Sequence, residues 1–180
     1  MKPGGIAVSN DKSYDLDEII RFLKKGDYSI FDFYSEYTAE DAGIDTKERG
    51  FLCICNVSDN LIPEETVIQV IDVLEHLDEC IEQAYDWLTY HEFGVRRFGK
   101  EKESIRDIIK KRYTVSEICF RWDDDFWPTS VIKEYCLGPE PPKGADVFFI
   151  EFFHRDCDSG FRFMFLCEDR RPYKFIIHIL

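Results

Sequence analysis

Val147-Phe148-Phe149-Ile150-Glu151-Phe152-Phe153-His154 is a stretch of β-branched and aromatic residues broken only by Glu151 before its final His154. Such side chains favour the pleated, half-buried surface of a strand. The turn-rich connector Asp158-Ser159-Gly160 follows, and then a second run from Phe161 to Glu168. Two such runs around a short connector read as a hairpin. Pro172 interrupts, and Tyr173 to Leu180 reads as a last strand. Upstream, Val115 to Trp122 and Ser130 to Leu137 flank an acidic, aromatic connection, while Gly138 to Gly144 carries three prolines and reads as a loop. Five strands therefore gather at the end of the chain.

The preceding half is helical in pattern. Leu16 to Lys25 reads as a helix that opens on Asp15 and Glu18, an Asp-x-x-Glu start resembling a capping box, and stops at Gly26. Tyr28 to Ser35 and Phe51 to Val57 read as strands, with a polar loop from Thr38 to Arg49 between them. Pro63, Glu64 and Glu65 then open the longest helix, since proline suits the first turn and carboxylates favour the positive end of the helix dipole. Val67, Ile71, Leu74, Leu77, Ile81, Ala84 and Leu88 follow at three- and four-residue steps, one apolar stripe ending near His91. A basic helix is expected from Glu101 to Arg112, burying Ile105, Ile108 and Ile109. Helices followed by grouped strands predict an α+β fold. Its antiparallel sheet has the C-terminal strands as a meander and helices packed on one face. One domain over 1–180 is expected, and the charge reversal near 95–113 marks where a subdivision would fall.

Composition limits the function classes. The 180 residues are 44% apolar and 16% aromatic, enough for a packed core. Acids outnumber bases 36 to 23, giving a net charge of −13. Nucleic acid and membrane surfaces are themselves anionic, so neither is an expected partner. The opening Met1 to Val8 has no apolar stretch of signal-peptide length, and seven cysteines, five of them in apolar runs, suit a reducing compartment. A cytoplasmic location with reduced thiols follows as the expectation.

Several constellations carry residue types suited to chemistry. His91-Glu92 opens like a metalloprotease helix, but Val95 stands where the second histidine belongs. Cys53 and Cys55 share one strand face and lack a Cys-x-x-Cys partner, so they read as small core residues. His76 and Cys80 supply two ligands at helical spacing, which falls short of a site. His154, Asp156, Cys157 and Asp158 cluster beside the hairpin turn, where turn chemistry accounts for them and a Cys–His nucleophile or metal site is the alternative. Asp123-Asp124-Asp125 could attract a hard cation, yet Phe126 and Trp127 break the calcium-loop spacing. No glycine-rich phosphate loop or nucleophile elbow is present. No metal ion, cofactor or catalytic residue is assigned.

Charge distribution is the strongest functional clue. Residues 61–92 hold nine acids and no Lys or Arg, whereas 96–112 carry a net +5. One explanation is internal, two helices with complementary outer faces; the other is external, an acidic helix that meets a basic protein. The external reading makes Glu75, Glu79, Glu82 and Asp86, with the turn Asp123, Asp124, Asp125, Phe126 and Trp127, the candidate contacts. Aromatic residues beside charges commonly anchor such surfaces.

The order of parts also carries a resemblance. A helix with a late Trp87 and a Lys/Glu-rich linker helix precede Ile118-Cys119-Phe120-Arg121-Trp122, then Asp123 to Trp127, then Ser130-Val131-Ile132. This resembles a family of small bacterial domains of unknown function, some of whose members look like immunity proteins from polymorphic-toxin loci. The likeness covers about residues 50 to 150, and Pro128-Thr129 stands where the family pattern carries Gly-His. It implies a non-catalytic protein-binding domain, an immunity-type inhibitor acting through an acidic surface, and supplies no catalytic residues. The alternative is an enzyme or small-ligand binder with a pocket between helices and sheet.

Because Leu77 and Ile81 lie on the longest apolar stripe, replacing either by Ala should cost about 2 to 5 kcal/mol, as for other buried large-to-small changes. Denaturant melts losing less than about 1 kcal/mol for both would place the core face elsewhere.

Overall fold

The computed structural model describes residues 4–8, 15–27, 31–35, 52–54, 62–99, 103–120, 136–139, 141–156 and 159–179. The elements run in the order β1 (Gly4–Val8), α1 (Leu16–Lys25), β2 (Phe31–Ser35), β3 (Leu52–Ile54), α2 (Glu64–Glu75), α3 (Leu77–Tyr90), α4 (Glu92–Phe98), α5 (Ile105–Arg112), β4 (Tyr113–Phe120), β5 (Cys136–Leu137), β6 (Val147–His154), β7 (Ser159–Leu166) and β8 (Pro172–Ile179). The fold is α+β, with one eight-stranded sheet in the order β2-β1-β3-β4-β6-β7-β8-β5. Strands β6, β7 and β8 form the expected antiparallel meander. One pair, β3 with β4, is parallel. Parallel neighbours need a crossover, and here helices α2 to α5 lie in the connection between them.

Alternation along the C-terminal strands divides their side chains between two faces. Leu52, Ile118, Ile150, Phe163 and Phe175 are successive register partners across β3, β4, β6, β7 and β8. All five are fully buried in the main core. The helices reach this face through rings: Tyr85 meets Phe152 at 5.7 Å, Trp87 meets Phe163 and Phe175 at 5.3 and 5.4 Å, and Phe93 meets Phe175 at 5.1 Å. Ser116 is an extra residue between Val115 and Glu117 relative to Phe152 and Glu151 on β6. This β-bulge shifts the alternation, so Val115 and Ile118, three apart, both contact the same core.

The other face is buried as well and carries charge. Glu117, Glu151 and Arg162 are consecutive register partners, and Cys119, Phe149 and Met164 form the adjoining row. Glu117 is 3% exposed and Arg162 9%. Arg162 Nε donates to Glu151 Oε1 at 3.0 Å, and its Nη2 lies 4.0 Å from Glu117 Oε2. Burial alone would lower the guanidinium's pKa, but Glu151 and Glu117 outweigh it and hold the group above its ordinary value.

Several sequence expectations need adjustment. α1 has the predicted bounds, Asp15 accepts from the Glu18 N–H at 2.7 Å, and Gly26 ends it in the left-handed region at φ 69. The longest helix is two helices separated at His76, where φ is −115. The His76 ring takes the Asp72 carbonyl at 2.7 Å, so Nδ1 carries the proton there, and the His76 backbone N–H turns to Val73 O. The bonding ladder is thereby interrupted. The buried stripe nevertheless runs on in step, with Val70, Val73, Leu77, Cys80, Ala84 and Leu88 facing the core, while Ile81 is half-buried. The loss expected for Ile81→Ala therefore falls below that for Leu77→Ala.

Helix α4 and strand β1 were not anticipated. Within α4, Gly94 passes so close to the end of α3 that an added Cβ would stand 1.7 Å from Leu88 O, which explains a glycine inside a helix. The basic helix starts later than expected, at Ile105, capped by the Ser104 hydroxyl accepting from the Asp107 N–H at 3.2 Å. Pro172 opens β8 instead of interrupting before it, a position where a missing N–H is tolerated. The Thr38 to Arg49 loop lies outside the described residues. No helix among the described residues is long and apolar enough to cross a membrane.

Replacing Arg162 by Met would leave Glu117 and Glu151 buried together without their cation. A loss of about 3 to 5 kcal/mol is expected, as when one partner of a buried ion pair is removed. Urea melts of Arg162→Met should show it, and the double variant Arg162→Met with Glu151→Leu should recover part of it. No recovery would mean that Glu151 is not the main partner.

Candidate functional site

Helix α3 exposes two polar stripes beside its buried one. Glu82 and Asp86 turn toward α5. Arg106 bonds both, its Nη1 standing 3.1 Å from Asp86 Oδ1, and Lys110 Nζ stands 3.0 Å from Glu82 Oε1. Lys110 also sits over the Tyr85 ring at 5.4 Å. Elsewhere on the acidic segment, Glu75 pairs with Lys24 at 2.5 Å, Asp72 with Arg170 at 2.5 Å, and Glu92 with Arg96. The two-helix explanation of the charge pattern thus accounts for Glu82 and Asp86, while Asp72, Glu75 and Glu92 find other partners within the chain. Exposed pairs of this kind contribute about 0 to 1 kcal/mol each. Glu79 and Asp78 make no ion pair among the described residues and are exposed.

The second stripe is Glu79, Gln83 and Tyr90, with Asp86 on the border between the two. With Trp87 and His91 it forms one wall of a groove, and residues Asp169 to Pro172, leading into β8, form the other. The groove encloses about 780 Å³ and is open to solvent. Trp87 is fixed by Phe163 and Phe175 beneath it, and His91 stacks on it at 3.9 Å with 10° between the planes. His91 Nδ1 accepts from the Phe93 N–H at 3.2 Å, which caps α4 and sets the ring's orientation. Tyr90 is 83% exposed at the rim.

The opposite wall is held by its backbone and by one long-range ion pair. Arg170 lies at φ 54, a left-handed conformation uncommon for a side-chain-bearing residue. Its N–H bonds Leu166 O at 2.9 Å, and Asp169 Oδ1 accepts from the Arg171 N–H at 3.0 Å. The Arg170 guanidinium then reaches Asp72 on α2. This contact joins the β7–β8 turn to the helices and sets the position of the groove wall.

A second depression, of about 510 Å³, lies among Gln69, Pro142 to Asp146 and Leu166 to Glu168. Gln69 Nε2 donates to Asp146 Oδ2 at 2.9 Å across it. Cys167 lines it, but burial, with Asp146 and Asp72 nearby, pushes its thiol up to about 12. Cys80 is pushed up to about 11, because burial outweighs the pull of Arg170. Neither is a thiolate at neutral pH, so neither suits nucleophilic attack.

The remaining sequence candidates separate. Asp123, Asp124, Asp125, Phe126 and Trp127 lie outside the described residues, as do Cys157 and Asp158. His154 Nδ1 accepts from the Asp156 N–H at 3.1 Å, and its ring meets Tyr113 edge-on at 4.9 Å, both local structural roles. His76 and Cys80 do not converge, since the histidine bonds its own helix and the cysteine is in the core. Among the described residues no three His, Cys, Asp or Glu side chains gather as a metal-binding group. The buried Glu117, Glu151 and Arg162 were not singled out from sequence. The available signal was one charge of each sign in two aromatic runs, at positions that a hairpin places opposite each other. No protein-family model matches the chain, and no curated protein or solved structure matches it.

The raised thiols imply a pH dependence. Because folding raises the Cys80 and Cys167 pKa values above the ordinary 9.0, their contribution to stability is complete below that pH. It declines as pH rises from 9 toward about 11 and 12, where the unfolded thiols ionise first. Urea melts between pH 7 and 11 should show the decline, and Cys80→Ala with Cys167→Ala should flatten that part of it. An unchanged slope in the double variant would remove the thiols as its source.

Proposed function

We propose that this chain is a non-catalytic protein-binding domain of the cytoplasm. It meets a basic partner through the acidic outer face of α3, in the manner of an immunity-type inhibitor masking a positive surface. The observation that carries the reading is Glu79: an exposed carboxylate outside the internal ion pairs, on the same stripe as the exposed ring of Tyr90. An acidic field speeds encounter with a basic protein, and a rim tyrosine supplies contact area at little entropic cost. The net charge of −13 acts in the same direction. Resemblance to the small bacterial domains with immunity-like members adds to it, and Asp123 to Trp127 is proposed as a further contact on the strength of its sequence alone.

Glu75, Glu82 and Asp86 contribute to the field while already bonded within the chain, so reversing them would also disturb Lys24, Arg106 and Lys110. Glu79→Lys and Tyr90→Ala are the cleaner variants, and both should keep the fold. The partner would be captured from the native host, and association measured at low and physiological salt. Glu79→Lys should slow association by about threefold or more at low salt, with a shallower salt slope. Tyr90→Ala should act mainly on dissociation. Rates and slopes equal to wild type in both variants would leave α3 a solvated face with no part in binding.

A further inference from the structure

We propose that Cys53 and Cys119 are a site of oxidative modification: hydrogen peroxide joins them in a reversible disulfide that locks β3 onto β4. The inference is independent of the protein-binding reading.

The joint between these strands is narrow. Strand β1 pairs with β2 and β3, and β3 pairs onward with β4, so among the described residues β1 and β2 belong to the sheet only through β3. Three register pairs make that connection: Leu52 with Ile118, Cys53 with Cys119, and Ile54 with Phe120. The middle pair is two cysteines. No other register pair among the described strands joins two cysteines. Read from sequence, Cys53 lacked a second thiol beyond Cys55; the parallel pairing supplies one from a strand 66 positions further on.

The placement suits a disulfide. Register partners share a sheet face, and neighbouring strands lie about 4.8 Å apart. Disulfides bridge Cα separations of about 4.4 to 6.8 Å. Paired strands set Cβ atoms at a similar spacing, wider than the roughly 3.8 Å of a relaxed disulfide. The strands must therefore draw together, and a bond formed under such strain is one that thiols reduce again. Cys119 is 3% exposed and is present as the thiol. A joint of three register pairs opens locally at lower cost than the eight-residue strands β4 and β6 separate from each other, and peroxide is small enough to use such openings.

Peroxide is the only co-reactant needed. One sulfur, as the thiolate, attacks a peroxide oxygen; the O–O bond breaks, water leaves and a sulfenic acid remains. The second sulfur attacks the first and releases its hydroxyl as water. Two thiols thus give up two protons and two electrons, and one hydrogen peroxide becomes two waters. In a reducing compartment such a bond is transient. While it lasts, it closes the chain around α2 to α5 and holds β1, β2 and β3 to the C-terminal strands.

The test uses the full chain, reduced, desalted and treated with a few equivalents of hydrogen peroxide. Remaining thiols are blocked with iodoacetamide before tryptic digestion. Peptide 113–121, which holds Cys119, should be recovered joined to peptide 50–96, which holds Cys53, Cys55 and Cys80. Tandem mass spectrometry should place the bond at Cys53, and dithiothreitol should release it. Cys53→Ser and Cys119→Ala should each abolish the link, while Cys55→Ser and Cys167→Ser should keep it. Amide exchange in β1 and β3 should slow about tenfold or more on oxidation of the wild type, and not in Cys53→Ser. No linked peptide, a bond placed at Cys55 or Cys80, or a link that forms only in unfolding urea would overturn the proposal and leave the pair as small packing residues. Sulfinic acid at Cys53 or Cys119 in place of the disulfide would overturn it as well.

Discussion

The row Glu117, Glu151 and Arg162 is the constraint on which the sheet's arrangement depends. Three charges on neighbouring strands are enclosed together, and only one register brings the cation beside both carboxylates. A slip of one residue would move Arg162 to the opposite face and leave two carboxylates buried without a cation, while Phe161 and Phe163 would leave the core. The charged row and the aromatic row therefore exclude the same alternatives. A sheet made only of interchangeable phenylalanines would bury comparable area in more than one register. The polar row removes that degeneracy at a cost in desolvation.

Once the register is set, the aromatic face determines where the helices lie. Trp87 docks between Phe163 and Phe175, and Tyr85 reaches Phe152, which orients α3 along the sheet. Its remaining faces are then divided. One turns to α5, whose bases neutralise Glu82 and Asp86; the other is left beside the turn that carries Arg170. The groove arises from this division. It forms where α3 has neither a core nor a compensating helix to cover it, and Arg170 holds its far wall in place through Asp72.

Much of this arrangement was legible in the sequence because it depends on local periodicity. The hairpin of β6 and β7, the cap of α1 and the opposed charges of α3 and α5 follow from two-residue and three-to-four-residue spacings read over short windows. The break at His76 was not legible. It depends on a ring hydrogen-bonding a carbonyl four residues back, and histidine is also an acceptable helix residue. The burial of Cys80 needs no break, since it lies in step with Val73, Leu77 and Ala84, but the apolar stripe of the sequence runs through Ile81 instead. Strand β1 opens on two glycines and has meaning only through its long-range pairing with β2 and β3. The charged row was missed for a related reason: Glu151 looked like an interruption in an apolar run until its register partner Arg162 was known. Of the candidate surface, the acids of α3 were legible, but their division between internal and outward roles required the placement of Arg106 and Lys110.

The parallel pairing of β3 and β4 bears on how the chain acquires its structure. Antiparallel neighbours such as β6, β7 and β8 can join soon after synthesis, because short turns hold them close. Strand β3 must wait for β4, beyond four intervening helices, and its three residues alone bury little. Strands β1 and β2 extend the sheet from β3, so the N-terminal part of the sheet joins the rest only after β4 exists. A nascent chain on the ribosome would therefore carry its first strands without their template until β4, ending at Phe120, had emerged. Those early segments are the ones a chaperone would find exposed.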